Sequence, residues 1–229
     1  DIQVEFRDFV VMDGSYDSNY AFRFGKIDRY SKFQNIRILQ FGTAMIFQSP
    51  LYRITFNDIF IRDCKYTIIA DSSQLGFSNV LTEFVFNRCY IDNNGRINSN
   101  TNHMVLYNCQ EFKFNDCIFE GNFSYGMNIT GASENNIFDK CRFEETEVNT
   151  ENSSGHIHNI SETVNNVTFT MCEIAYNKKG TTSNKNYSLF YIGNNAKFID
   201  CQFIDLSNEN PENTFGITPD SAIIQIINP

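Results

Sequence analysis

The stretch FNDCIF at residues 114–119 reads as a phenylalanine, two polar residues, a cysteine, a spacer and a second apolar residue. Versions of it recur along the chain, as FRDFVV at 6, FQNIRI at 33, FNDIFI at 56, FNRCYI at 86, FDKCRF at 138, FTMCEI at 169 and FIDCQF at 198. The lead residues Phe6, Phe33, Phe56, Phe86, Phe114, Phe138, Phe169 and Phe198 stand 23 to 31 residues apart. Repeats of this length signal a solenoid, and so variable a spacing requires a constant core with the variation placed in loops. Helical repeats rarely allow that. The alternation in VTF, FVF and FKF before the polar pair, and in CIF, CYI and CRF after it, reads as two short strands joined by a bend.

A further apolar segment precedes each motif: NYAFRFG at 19, TAMIFQ at 43, TIIAD at 67, HMVLYN at 103, GMNITG at 126, HIHNIS at 156 and SLFYIG at 188. Three strands per coil, with coils stacked at roughly 4.8 Å, make a parallel β-helix. The expected fold is all-β, a right-handed single-stranded parallel β-helix of about eight rungs, with residues 1–229 as one domain. Like positions then lie above one another. The phenylalanines form one internal column, and Ile36, Ile59, Cys89, Cys117, Cys141, Cys172 and Cys201 form a second. Because isoleucine shares that column, the cysteines read as small buried hydrophobes rather than metal ligands or disulfide partners. Asn57, Asn87 and Asn115 are expected to form an asparagine ladder at a bend with one left-handed residue. Beside them Asp58, Arg88, Asp116 and Lys140 alternate in sign as an exposed charge ladder.

The segments MNITGASENNIFDKCRFEE at 127 and LFYIGNNAKFIDCQFID at 189 run strand, turn, strand, bend, strand. In this the chain resembles, over nearly its whole length, the pectate-lyase-like right-handed parallel β-helix superfamily. The resemblance implies a long carbohydrate lying along the coil. Most of all it implies a bacteriophage tailspike or tail appendage domain, trimeric, found in the virion or outside the cell, that binds and depolymerises a host cell-surface polysaccharide. The alternatives it carries are a secreted polysaccharide lyase or glycoside hydrolase and a non-catalytic shaft of a virion appendage. The Asp and Arg clusters of pectate lyases and polygalacturonases have no match here. Phe6 has five residues before it and AIIQIINP at 222 opens another strand, so further domains or virion proteins are expected at both ends.

The totals narrow the partners. A formal charge of -9 and a pI near 4.8, without a cluster of Lys and Arg, disfavour nucleic acid. No apolar run is long enough to insert as a membrane helix. The seven cysteines contain no CxxC pair, and no cofactor or metal is expected. Six N-x-S/T sequons are what an Asn-rich chain contains by chance.

Chemistry is expected on the outside of the coil. One outward position per rung gives Val10, Arg37, Phe60, Tyr90, Ile118, Arg142, Glu173 and Gln202. Phe60, Tyr90 and Ile118 should make an apolar stripe, widened by Val85 and Ile137, suited to side-by-side packing of chains. Directly after the third strand stand Asp92, Glu120 and Glu144 in successive rungs. Carboxylates one rung apart would suit a retaining glycosidase, and the outer two approach the inverting separation. The other reading is solvated acidic residues at the loop mouths, or a calcium site. His156 and His158 share a strand face and, with Tyr125 and Tyr187 as stacking rings, are candidates for binding sugar. All three histidines, with His103, otherwise read as surface polar residues.

Overall fold

A computed structural model of the chain describes residues 5–13, 19–25, 30–47, 53–71, 81–92, 94, 102–121, 125–146, 156–161, 163–177, 188–192, 196–205 and 224–226. Among them there is no helix. The strands pair in parallel, each with its counterpart one repeat along the sequence, in a 13-stranded sheet, an 8-stranded sheet and a 2-stranded one. This is the parallel β-helix that the repeat predicts.

Three flanks surround the core. The first carries the phenylalanine column, and the second follows the bend; together they are the 13-stranded sheet. In the first three rungs they run on as single strands, Glu5–Met12, Lys32–Leu39 and Thr55–Arg62. From Val85 onward the bend splits them into pairs such as Val85–Asn87 with Tyr90–Asp92 and Lys113–Asn115 with Ile118–Glu120. The column residue switches at the same point, from Ile36 and Ile59 to cysteine. The third flank is the 8-stranded sheet, built from the apolar segments that open each coil, Tyr20–Phe24 through Ile224–Ile226.

Register turns the sequence pattern into packing. All eight lead phenylalanines are paired in one line, Phe6 to Phe198. Successive rings lie 4.7 to 5.1 Å apart at 4 to 22°. The rung spacing thus sets the rings at stacking distance, adding ring–ring attraction to the roughly 1.5–3 kcal/mol that burying each one contributes. Phe33 through Phe169 are buried, while Phe6, stacked on Phe33, is 41% exposed. Ile38, Ile61, Ile91, Phe119, Phe143 and Ile174 form a further buried column on the second flank.

The cysteines are free, and all but the partly exposed Cys201 are buried. The five in the column do more than fill space. Each thiol lies within donating reach of two carbonyls, that of the lead phenylalanine one rung back and that of the residue two before the cysteine: Cys117 is 3.4 Å from both Phe86 and Asn115, Cys141 3.2 Å from Phe114 and 3.5 Å from Asp139, Cys172 3.3 Å from Phe138 and 3.4 Å from Thr170, Cys201 3.4 Å from Phe169 and 3.5 Å from Ile199, and Cys89 3.8 Å from Phe56 and 3.6 Å from Asn87. An isoleucine cannot donate. Burial pushes the thiols of Cys64, to about 12, and Cys109 up, so neither is a thiolate at neutral pH.

At the bend the asparagine ladder is present. Asn87 donates to Asn57 at 2.8 Å and Asn115 donates to Asn87 at 2.9 Å. The left-handed residue is the next one along: Asp58, Arg88, Asp116, Lys140, Met171 and Asp200 have φ between 50 and 56°. Amides in extended backbone point sideways and can meet one another, whereas the left-handed residue points outward into solvent and can be of almost any type. Of the charge ladder, Arg88 grips Asp58 through two bonds of 2.7 and 2.9 Å.

Candidate functional site

The outer face of the second flank holds two parallel columns, two residues apart on each strand. The first is the outward series Val10, Arg37, Phe60, Tyr90, Ile118, Arg142, Glu173 and Gln202, paired in that order. The second is Leu39, Arg62, Asp92, Glu120, Glu144, Ala175 and Ile204. Alternation along a strand sends both to the same side, so the apolar stripe and the carboxylates share one surface.

The aromatic part of that surface is a short stack. The guanidinium of Arg37 sits 5.2 Å from the centre of the Phe60 ring, and Phe60 and Tyr90 are 5.5 Å apart at 46°. Phe60, Tyr90 and Ile118 are all half-buried. Val85 and Ile137 lie across the bend on the first flank, also half-buried, with Lys113 paired between them, so the stripe is not extended without a break on that side.

Asp92, Glu120 and Glu144 stand in register on three successive rungs. Asp92 and Glu120 end their strands and Glu144 lies inside Arg142–Thr146; none of the three stands beyond the strand in the loop mouth. The ladder runs one residue further than the alternation suggests, and this leaves the carboxylates half-buried. Each has a partner. Arg62 lies 3.5 Å from Asp92, the Tyr90 hydroxyl donates to Glu120 at 2.8 Å, and Arg142 binds Glu144 and reaches Glu173 at 3.1 Å. Burial, set against the attraction of Arg62, and the neighbouring charge of Glu120 hold the Asp92 carboxyl above its ordinary range. The bond to Glu120 pushes the Tyr90 phenol up to about 12. The face therefore combines a stacking platform, hydrogen-bonding carboxylates and arginines, and one carboxyl whose pKa burial raises above the ordinary range.

The remaining candidates are elsewhere. His156 and His158 lie on a strand of the third flank, opposite Ser188 and Phe190, and Tyr125 begins another, opposite Asn102. That flank is separate from the carboxylate face, so these residues do not converge with Asp92, Glu120 and Glu144. Tyr187 is outside the described residues. His103 is buried rather than at the surface: it is 1% exposed and its Nδ1 lies 3.2 Å from the Thr67 hydroxyl. Thr67 on the preceding rung holds it from a second side as well, its hydroxyl reaching the His103 carbonyl at 3.1 Å. The described residues bring no three His, Cys, Asp or Glu side chains together as a metal site.

A second surface feature was not foreseen. Tyr30, Arg53, Glu83 and Glu111 each stand three residues before a lead phenylalanine, and all have left-handed backbone with φ of 57 to 72°. They stack on successive rungs and, with Lys32, Thr55, Val85 and Lys113, line a furrow of about 250 Å³ on the first flank. The fixed offset from Phe33, Phe56, Phe86 and Phe114 was the signal that could have found it.

Searches find no protein-family model, curated protein or solved structure that matches the chain. The fold and the surface chemistry alone therefore define the class: an all-strand parallel β-solenoid with an amphipathic, carboxylate-bearing flank.

Proposed function

We propose that this chain is a tailspike-like β-helix domain of a bacteriophage tail appendage, which holds a host cell-surface polysaccharide lengthwise along the second flank. The observation that carries the reading is the union, on one surface, of the Phe60–Tyr90 stack with the in-register carboxylates Asp92, Glu120 and Glu144 and their arginines. Sugars are recognised in this way, with an aromatic face for the apolar side of the ring and planar charged groups for the hydroxyls. The linear rung repeat favours a linear, repeating ligand over a small molecule.

The raised Asp92 carboxyl, one rung from Glu120, supports extending the proposal to cleavage. Asp92 would protonate the departing oxygen as Glu120 attacks the anomeric carbon, and water, giving its proton to Asp92, would then release the sugar from Glu120, at a carboxylate separation of the order of the ~5 Å that retaining glycosidases use. A secreted polysaccharide hydrolase free of any virion would use the same groups. The test is to incubate the protein with purified surface glycans of candidate host bacteria, measuring binding by calorimetry and chain length by gel filtration. Tyr90→Ala is expected to weaken binding about tenfold, as the loss of a ~1–1.5 kcal/mol stacking contact predicts. Glu120→Gln is expected to abolish shortening of the chains while keeping binding. A protein that binds none of the glycans refutes the proposal, and Glu120→Gln that still shortens them refutes the cleavage step.

A further inference from the structure

The furrow on the first flank lies across the bend from the carboxylate face and carries the opposite balance of charge. Four rungs line it, a length of about 14 Å at ordinary strand spacing. On one wall the register runs Lys32, Thr55, Val85, Lys113. On the other, backbone bonds from Tyr30 to Arg53 at 3.0 Å and from Arg53 to Thr82 at 3.3 Å stack Tyr30, Arg53 and Glu83. Arg53 is committed: it bonds Glu83, donates to the Tyr30 hydroxyl and lies 5.5 Å from the centre of the Tyr30 ring. These contacts raise its pKa further, so it stays charged, and it neutralises Glu83.

The charges left over are Lys32, Lys113 and Glu111, all exposed. Among the described residues neither lysine has a carboxylate partner. Both line the furrow, one at each end of its wall. At physiological salt a charge is felt over roughly 8 Å, so a group inside the furrow responds to Lys32 at one end, or to Lys113 and Glu111 at the other, and not to the acidic chain as a whole. Tyr30, 51% exposed, presents a ring at one end.

We infer that the furrow is a second saccharide subsite, selective for a glycan segment that bears a carboxylate. The acid group sits against Lys32 or Lys113, sugar hydroxyls meet Glu111 and Thr55, and the ring of Tyr30 packs on an apolar sugar face. The inference rests on the glycan-binding reading above and adds to it the acidic class of the ligand.

The experiment uses the full chain with three pairs of oligosaccharides: uronate-bearing, sialate-bearing and host-derived, each intact and after chemical reduction of its carboxyls. Both lysines are exposed, so a Lys32→Gln, Lys113→Gln double variant should keep the circular dichroism and melting temperature of the parent. The double variant removes whichever lysine holds the acid group, and one exposed charge contact of this kind is worth about a two- to fivefold change in affinity. The expected result is that loss for the intact acidic oligosaccharide, no change for its reduced form, and binding that weakens as salt is raised. Equal binding of the acidic oligosaccharide by parent and double variant overturns the subsite. If Tyr90→Ala still weakens binding in that case, the second-flank reading stands. Binding of reduced glycans as tight as of acidic ones overturns the acid selectivity alone, and binding of no glycan by the parent overturns both proposals.

Discussion

Asn87 occupies the middle of the amide ladder, donating to Asn57 and accepting from Asn115. Truncating it removes two half-buried hydrogen bonds and leaves an oxygen and an amide without their partners. Asn87→Ala is therefore expected to destabilise the protein by about 2 kcal/mol, and Asn57→Ala, which severs one of the two bonds, by about half as much. Chemical denaturation of the two variants beside the parent checks the ratio. The residue scale also shows where reading the chain falls short. The amides and the charged residues after them are both turn formers, so composition did not say which adopts the left-handed backbone. His103 sits in an alternating strand, and alternation does not report that the outer side of that strand is covered at this rung. The furrow residues are 23 to 30 positions apart and meet only through register.

At the scale of elements, the phenylalanine column accounts for most of what was legible. One large apolar residue recurring at the start of each motif is a statement about an internal line, and the register bears it out from Phe6 to Phe198. Phe114 is fully buried, with Phe86 at 4.7 Å on one side and Phe138 at 4.9 Å on the other. Phe114→Ala is expected to cost about 3–5 kcal/mol, since rungs tied together by backbone hydrogen bonds cannot close a cavity. Phe6→Ala, where the ring is 41% exposed, should cost about 1 kcal/mol or less. Unfolding midpoints in urea would show this contrast. The column of thiols was read as filler, and that reading omitted its second role. Cysteine appears where the strand divides, and there its S–H meets a carbonyl that an aliphatic side chain would leave to its strand neighbours alone.

For the whole molecule, the placement of the apolar stripe and the carboxylates on one surface links two readings that the sequence kept apart. Packing of copies through Phe60, Tyr90 and Ile118 would cover the stack on which the proposed glycan face depends, so the two uses of that surface exclude one another. With the stack open to a glycan, multi-angle light scattering across a concentration series is expected to give the monomer mass; a threefold mass that Phe60→Asp returns to the monomer would assign the stack to packing instead. A parent that stays monomeric at all concentrations removes the trimer while leaving the glycan face intact.

Because among the described residues each coil pairs with the coil before it and the coil after it, the molecule can be lengthened or shortened by whole turns. Duplicating one repeat would move everything beyond it by about 4.8 Å along the axis and leave every other contact unchanged. Reach is thus a quantity that gene duplication can adjust in even steps, independently of what any single turn binds.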